Sequence, residues 1–232
     1  MIDLHCHILP GVDDGPATLE EALAMARVAV ADGLRTVAAT PHLQPADFAH
    51  HPWIAAGVAA LREALQAASL PLQIIPGAEI ACAPELLDHF PTLPHLGASP
   101  WILLEPPLLG LPNYLEEVVF AMQLAGIKVI LAHPERSQLM GIMPEIIQRL
   151  AERGCVLQIN VASLLGRHGW ATRKTARKLL QEYPNCILAT DAHDAVRRPP
   201  QLTPALRPLR RFGGDPRFHE LTEERPGGMV GR

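Results

Sequence analysis

Apolar positions along this chain gather into seven short runs, and most of the intervening stretches repeat their apolar residues every three or four positions. The runs are Ile2 to Cys6, Leu34 to Thr40, Leu72 to Pro76, Trp101 to Leu104, Ile127 to Ala132, Val156 to Val161 and Cys186 to Thr190. Runs this short and this continuously apolar predict strands buried on both faces, as parallel strands covered by helices are. Between them, Thr18 and Glu21 form a capping-box pair ahead of Leu19, Ala22, Leu23, Ala26 and Val30 at helical spacing, and Gly33 supplies a C-terminal stop. Further helices are predicted over about 53–68, 114–125, 143–153 and 172–182. The alternation predicts a single α/β domain with a parallel sheet.

Periodicity does not separate a closed barrel from an open doubly wound sheet, but the placement of polar residues does. His5 and His7 end or follow the first run, His42 the second, Glu79 the third, Glu105 the fourth, His133 the fifth, and Asp191 with His193 the seventh. In a closed barrel all C-terminal strand ends meet at one mouth, whereas the outer strands of an open sheet lie too far apart to share a site. A βα barrel is therefore predicted. The sixth run offers only Gln158, Asn160 and Ser163.

Composition narrows the function classes. With 232 residues, 48% hydrophobic, the chain is the size of one α/β domain, and a net charge of -4 gives no broad basic field for nucleic acid. The four cysteines are scattered with no C-x-x-C pair, so they read as core residues rather than zinc or disulfide ligands. No signal-peptide pattern and no apolar stretch of about eighteen residues is seen, which predicts a cytoplasmic protein without a membrane span.

Spacing points to metal. In His5-Cys6-His7 the side chains at i and i+2 share one face of a strand, so two imidazoles can grip one ion while Cys6 turns away, and Asp191-Ala192-His193 repeats the device. Imidazole and carboxylate ligation without thiolates suits Mn, Fe, Zn or Mg, and the set is too rich for one ion at about four ligands each. A lone histidine such as His50, His51, His89, His95, His168 or His219 reads as a surface or satisfied polar residue. Asp14 reads equally as a ligand or as part of a plain Asp13-Asp14-Gly15 turn.

The run from Met1 through Leu4-His-Cys-His7 to Asp13-Asp-Gly15, then Ala39-Thr-Pro-His42, Pro76-Gly-Ala-Glu79-Ile, Ala132-His-Pro-Glu-Arg136 and Thr190-Asp-Ala-His193, resembles the PHP-domain phosphoesterases. More narrowly it is similar to the manganese-dependent protein-tyrosine phosphatases of bacterial capsule and exopolysaccharide systems. The resemblance covers Met1 to about Arg198, with a weaker echo at Leu221 to Pro226. It implies the PHP fold, a distorted seven-stranded (β/α)7 TIM-like barrel, here a core of about 1–198 followed by a C-terminal helix and tail, 199–232. It implies up to three ions, Mn2+ first among Mn, Fe, Zn and Mg. One would be held by His5, His7, Glu105 and Asp191, a second by Glu79, bridging Glu105 and His133, and a third by Asp14, His42 and His193. Arg136 and Arg198 would bind the substrate phosphate, with neighbouring Arg197 an open alternative for the second. The implied partner is a phosphotyrosine protein, the tail of a bacterial tyrosine kinase, and ring-like homo-oligomers occur among relatives.

The implied chemistry follows from charge. Clustered cations neutralise phosphoryl oxygens and make water a competent nucleophile near neutral pH, while a guanidinium forms two parallel bonds to phosphate. A phenol leaving group, with a pKa near 10, depends little on a general acid. The C-x5-R loop of cysteine-dependent phosphatases is absent. Departures from the family pattern lie in the segment 43–53 after His42, at Pro106 and at Asp194. They leave open a small phosphate ester such as histidinol phosphate as substrate, or a non-catalytic module that binds phosphotyrosine tails.

Overall fold

Strand β1 (Ile2–Cys6) does not keep one phase, and this irregularity sets up the centre of the molecule. Ile2 and Leu4 belong to one apolar cluster and Cys6 to another, although strict alternation would put all three on one face. The pairing of β1 with β2 (Thr36–Ala39) slips by one residue between Asp3 and Cys6, so three steps on β1 match two on β2. A bulge of this kind re-aims the side chains that follow it. Cys6 thereby turns into the sheet–helix core, and His5 and His7 share the opposite side.

A computed structural model describes residues 1–110, 113–138 and 142–231. The remaining strands are β3 (His42–Leu43), β4 (Gln73–Pro76), β5 (Glu79–Ala81), β6 (Trp101–Glu105), β7 (Lys128–Ala132), β8 (Val156–Asn160) and β9 (Cys186–Ala189). All pair in parallel, in one sheet of order β1-β2-β4 and a second of order β3-β5-β6-β7-β8-β9. The seven predicted runs are all present, but the strand count is corrected to nine. Pro41, which has no N–H to donate, parts β2 from β3, and Gly77-Ala78 parts β4 from β5. In both cases the chain passes from the first sheet to the second. At the other edge the His7 N–H donates to Ala192 O (2.9 Å) and the Asp191 N–H to His5 O (2.9 Å), so β1 neighbours the segment that leaves β9.

The two apolar clusters divide the work of burial. The smaller takes Ile2, Leu4, Ala38, Ile75, Leu103, Ile130, Val156 and Ile187 from one face of the strands, with Met229 from the C-terminal segment. The larger lies between the other strand faces and the helices. Helix α1 (Leu19–Asp32) has the predicted capping box between Thr18 and Glu21 and ends on Gly33 in the left-handed region, φ 91°. Ala22 and Ala26 of the predicted stripe are buried, together with Met25 and Ala29; Leu23 and Val30 are partly buried against the core, and Leu19 is exposed. Helices α2 (Pro52–Ala67), α3 (Leu115–Leu124), α4 (Pro144–Glu152) and α6 (Trp170–Glu182) fall close to their predicted spans, and a short α5 (Val161–Leu165) directly follows β8. After a short α7 (Leu206–Leu209), the C-terminal segment is one continuous helical run made of α8 (Gly214–His219), a π-helical stretch Glu220–Glu224 and α9 (Arg225–Val230), the predicted C-terminal helix. The tail ends on Arg232, outside the described residues.

Asp3 locks β1 to the segment after β9. Its buried carboxylate accepts from the His5 N–H (3.2 Å), the Thr190 N–H (3.1 Å) and the Thr190 hydroxyl. Burial pushes its pKa up to about 6, against these hydrogen bonds, which favour the charged form. Removing the acceptor leaves buried donors unsatisfied, a loss of about 2 kcal/mol. Asp3→Ala is expected to lower the melting temperature by roughly 4–8 °C in a thermal denaturation followed by circular dichroism.

Candidate metal centre

All nine residues predicted as metal ligands are described, and they converge. His5 and His7 come from the end of β1, His42 opens β3, Glu79 opens β5, and Glu105 ends β6; in the sheet His42 and Glu79 are direct register partners. His133 follows β7 and Asp191 follows β9, both in the left-handed region, with φ of 30° and 52°. Non-glycine residues rarely adopt that conformation, and its recurrence at two candidate ligands marks strain held at a functional site. Asp14 comes from the loop after β1, where Gly15 packs so tightly that an added Cβ would lie 2.4 Å from His7 O.

Potential ligand atoms form four overlapping groups, each within 4.8 Å: His7, Asp14, His42 and His193; His5, Glu79 and His133; His5, His7 and Asp191; and His42, Glu79 and Glu105. The first contains the predicted third-ion set with His7 added. Of the other two predicted sets, His5, His7 and Asp191 form one group, Glu79 and His133 join His5 in another, and Glu105 stands with Glu79 and His42 in the last, so Glu79 recurs in two of the four groups. Glu79 Oε2 lies 3.3 Å from His5 Nε2, 3.2 Å from His7 Nε2 and 2.9 Å from His42 Nδ1, while Oε1 is 2.7 Å from His133 Nε2. Glu105 sits at the margin, 3.9 Å from His133 Nε2. Starting β5 one residue after Ala78 gives Glu79 this central place, a consequence of the strand break that no strand-end reading supplies.

A second layer orients the imidazoles. His5 Nδ1 donates to Gln158 Oε1 (2.9 Å), His7 Nδ1 to Asp13 Oδ2 (2.7 Å) and His193 Nδ1 to Asp191 O (3.0 Å), tautomers assigned from the acceptors. Each Nε2 is left facing the cluster, and those of His5 and His7 stand 3.2 Å apart. Gln158 is fixed in turn by Asn160 (2.7 Å), whose side chain also donates to Asp191 Oδ2 (2.7 Å). Asp13, Gln158 and Asn160 orient the ligand candidates, contacts that ligand spacing alone missed. For the latter two the available signal was their i, i+2 placement on β8.

The electrostatics fit a multivalent cation. Burial alone would raise the Glu79 pKa, but His5, His133 and His42 hold the carboxyl well below its usual range, and His5, despite burial, is held up chiefly by Glu79 and Asp191. His7 rises to about 10 because its Asp13 and Glu79 contacts outweigh burial. Glu105 is pushed up by burial and by the Glu79 charge. His193 is lowered to about 4 by burial and the facing His7. Glu79 Oε2 is enclosed by imidazole nitrogens at ion-pair distance, yet neither it nor buried His42 Nδ1 finds an aligned hydrogen-bond partner. A donor set of imidazoles and carboxylates with orphaned buried atoms suits hard or borderline divalent ions.

Arg136 Nη1 and Arg198 Nη2 both reach Asp191 Oδ2, at 2.8 and 2.9 Å, while Arg197 is exposed. Beside Arg198 a cavity of about 20 Å³, room for one water, is lined by His168 and Asp191. His168 is held down at about 4 by burial and the Arg136 charge, and none of His50, His51, His89, His95, His168 or His219 joins a ligand group among the described residues. In the divergent segment 43–53, Phe48 is fully buried and its carbonyl accepts from Thr92 Oγ1 (3.3 Å).

Comparison with known proteins gives a consistent result. The family profile for capsular polysaccharide synthesis, CpsB/CapC, matches residues 1–230. The tyrosine-protein phosphatase YwqE of Bacillus subtilis (strain 168) is 34% identical over 232 residues, covering 96% of this chain and 89% of that protein. A crystal structure from work on YwqE of Bacillus subtilis and CpsB of Streptococcus pneumoniae, described as unique metal-dependent tyrosine phosphatases, superposes with a TM-score of 0.89 at 31% identity, over 99% of this chain and 94% of the other. The phosphotriesterase homology protein of Escherichia coli, solved with phosphate in its active site, shares the fold at a TM-score of 0.67 and 12% identity, over 99% of this chain and 98% of the other.

Two outcomes follow for the centre. Asp13→Ala removes no first-line ligand but frees the His7 ring, and is expected to weaken metal affinity by about 10–100-fold in a competition titration with a chelator. Because His7 is protonated below about pH 10 without metal, binding at neutral pH must expel its proton. Affinity is then expected to rise between pH 6 and 8 by about tenfold per unit for each proton displaced, with matching proton release in calorimetry across buffers of different ionisation enthalpy.

Proposed function

The chain belongs to the CpsB/CapC capsular polysaccharide synthesis family, and from that premise we propose that it is a metal-dependent protein-tyrosine phosphatase acting on phosphotyrosine in a protein partner. The observation that carries this reading is Asp191, whose carboxylate faces His5 and His7 on one side and is paired with both Arg136 and Arg198 on the other. One anionic side chain thus marks the boundary between a cation site and an anion site.

His5, His7, Asp14, His42, Glu79, Glu105, His133, Asp191 and His193 are the proposed metal ligands, with Mn2+ as the first choice and Fe, Zn or Mg as substitutes. Bound ions would neutralise the phosphoryl oxygens and favour ionisation of an attacking water. With Asp191 engaged in ligation, Arg136 and Arg198 turn their forks to the phosphoryl group and hold it in line, which a lysine point charge would do less well. Arg198 rather than Arg197 is assigned this role, because Arg198 is the one within reach of Asp191. Gln158, Asn160 and Asp13 keep the imidazoles aimed. We read the two sheets as one distorted seven-stranded barrel in which β2 with β3, and β4 with β5, are broken single strands; the β1 contact with Ala192 supports closure. Four free buried cysteines fit a reducing cytoplasm, no helix among the described residues is long and apolar enough to cross a membrane, and the proposed partner is a tyrosine-kinase tail.

The test is phosphate release from a phosphotyrosine peptide after chelation and stepwise return of Mn, Mg, Zn or Fe, set against histidinol phosphate as the small-ester control. Wild type should recover activity with Mn and prefer the peptide, and His5→Ala should stay inactive. Arg198→Ala is expected to lose about 10²-fold in kcat/KM while Arg197→Ala stays within about threefold. Metal-restored wild type no faster than His5→Ala on any phosphate ester would sink the proposal.

A further inference from the structure

Away from the metal centre, the chain, with a net charge of -4, concentrates positive charge in one place. Helix α6 carries Arg173, Lys174, Arg177 and Lys178, and its sole acid is the terminal Glu182. Arg173 and Arg177, one turn apart, face Arg207 and Arg211 across a groove of about 390 Å³ whose apolar lining is Leu164, Leu165 and Pro208. Among the described residues none of the four guanidiniums has a carboxylate partner, and the Nε atoms of Arg173 and Arg177 are buried without an acceptor. Burial and the facing Arg173 and Arg211 charges push the Arg177 guanidinium down. Gly166, at φ 84°, makes room for this arrangement: a Cβ there would meet the Arg173 stem at 3.2 Å. An adjoining groove adds Trp170, which is 75% exposed with Lys174 stacked on its ring, and Phe212.

Four converging, mutually repelling guanidiniums without acceptors are costly unless an anion joins them. A rigid fork on each wall suits tetrahedral phosphoryl oxygens, and the leucine and proline lining suits an aromatic ring. Phosphotyrosine offers both, with a charge of about -1.5 to -2 on three acceptor oxygens. The groove also adjoins the proposed active site: Leu165 lines it and the cavity beside Asp191 and Arg198. The intervening helix α5 is only about 7.5 Å long at 1.5 Å per residue. An extended peptide advances about 3.3 Å per residue, so side chains two to four positions apart are separated by about 7–13 Å, the scale of that helix.

Resting on the tyrosine-phosphatase reading above, we propose that the Arg173, Arg177, Arg207 and Arg211 groove is a second phosphotyrosine-binding site, which holds one phosphotyrosine of a multiply phosphorylated segment while a neighbouring one is hydrolysed at the metal centre. The preferred substrate is then a polypeptide carrying closely spaced phosphotyrosines, not an isolated one.

The experiment measures fluorescence anisotropy of metal-loaded, full-length protein with peptides carrying one or two non-hydrolysable difluoromethylphosphonate analogues of phosphotyrosine three positions apart. Wild type should bind the doubly substituted peptide about tenfold more tightly. Arg173→Gln/Arg177→Gln, and independently Arg207→Gln/Arg211→Gln on the opposite wall, should reduce that advantage to under about twofold, leaving single-analogue binding and p-nitrophenyl phosphate hydrolysis unchanged. Equal affinities in wild type would overturn the proposal, and so would an advantage that survives in both variants. Two further results would also overturn it: an equal gain when the second analogue is replaced by glutamate, or preferential loss of binding to phosphatidylserine vesicles. If no phosphotyrosine substrate is hydrolysed but the double-analogue advantage holds, the phosphatase reading fails and this inference stands. Hydrolysis without the advantage gives the reverse.

Discussion

Glu79 is the point around which the molecule is arranged. A buried carboxylate is tolerated only if opposite charge or hydrogen-bond donors surround it. Here they are imidazoles from β1, β3 and the end of β7, all within 3.3 Å of its oxygens. Satisfying that one group requires distant segments to meet at a single locus, which is what parallel strands with helical crossovers achieve. The demand propagates outward. Asp191 on the far side of His5 and His7 draws in Arg136 and Arg198, and burial together with the Glu79 charge pushes the pKa of neighbouring Glu105 up.

Much of this was legible in the amino-acid sequence because it is local. Apolar runs announce strands, Thr18 and Glu21 announce a helix start, and H-x-H with D-x-H announces paired ligands, since each rests on geometry repeating within a few residues. What stayed hidden depends on relations between distant segments. Ala78 and Glu79 look like the end of one strand, and only pairing with His42 shows that a new strand begins there. The 2.9 Å approach of Glu79 Oε2 to His42 Nδ1 follows from that break. The bulge in β1 is invisible to alternation, because Ile2, Leu4 and Cys6 are all apolar and any phase would look acceptable. Arg197 and Arg198 differ by one position and were separated only by which side chain reaches Asp191.

Charge shows the same contrast of scales. The net value argued against polyanionic partners over the whole surface, yet it averages over an interior cluster of histidines and carboxylates and a basic outer groove. His5, His7, His42, Glu79 and Asp191 gather inside, and Arg173, Arg177, Arg207 and Arg211 outside, one short helix apart. In the divergent segment after His42, Phe48 is anchored in the apolar core.

The contact between β1 and the segment after β9 also carries a timetable. Asp3 and Thr190 are separated by 187 residues, and at roughly 5–20 residues per second a ribosome takes roughly 10–40 s to make the intervening chain. Throughout that interval His5 and His7 are synthesised but cannot find Asp191, so the centre has no complete ligand set on a nascent chain. Its assembly is among the last events of folding, and a polypeptide truncated before Thr190 would carry most of the strands and none of the finished chemistry.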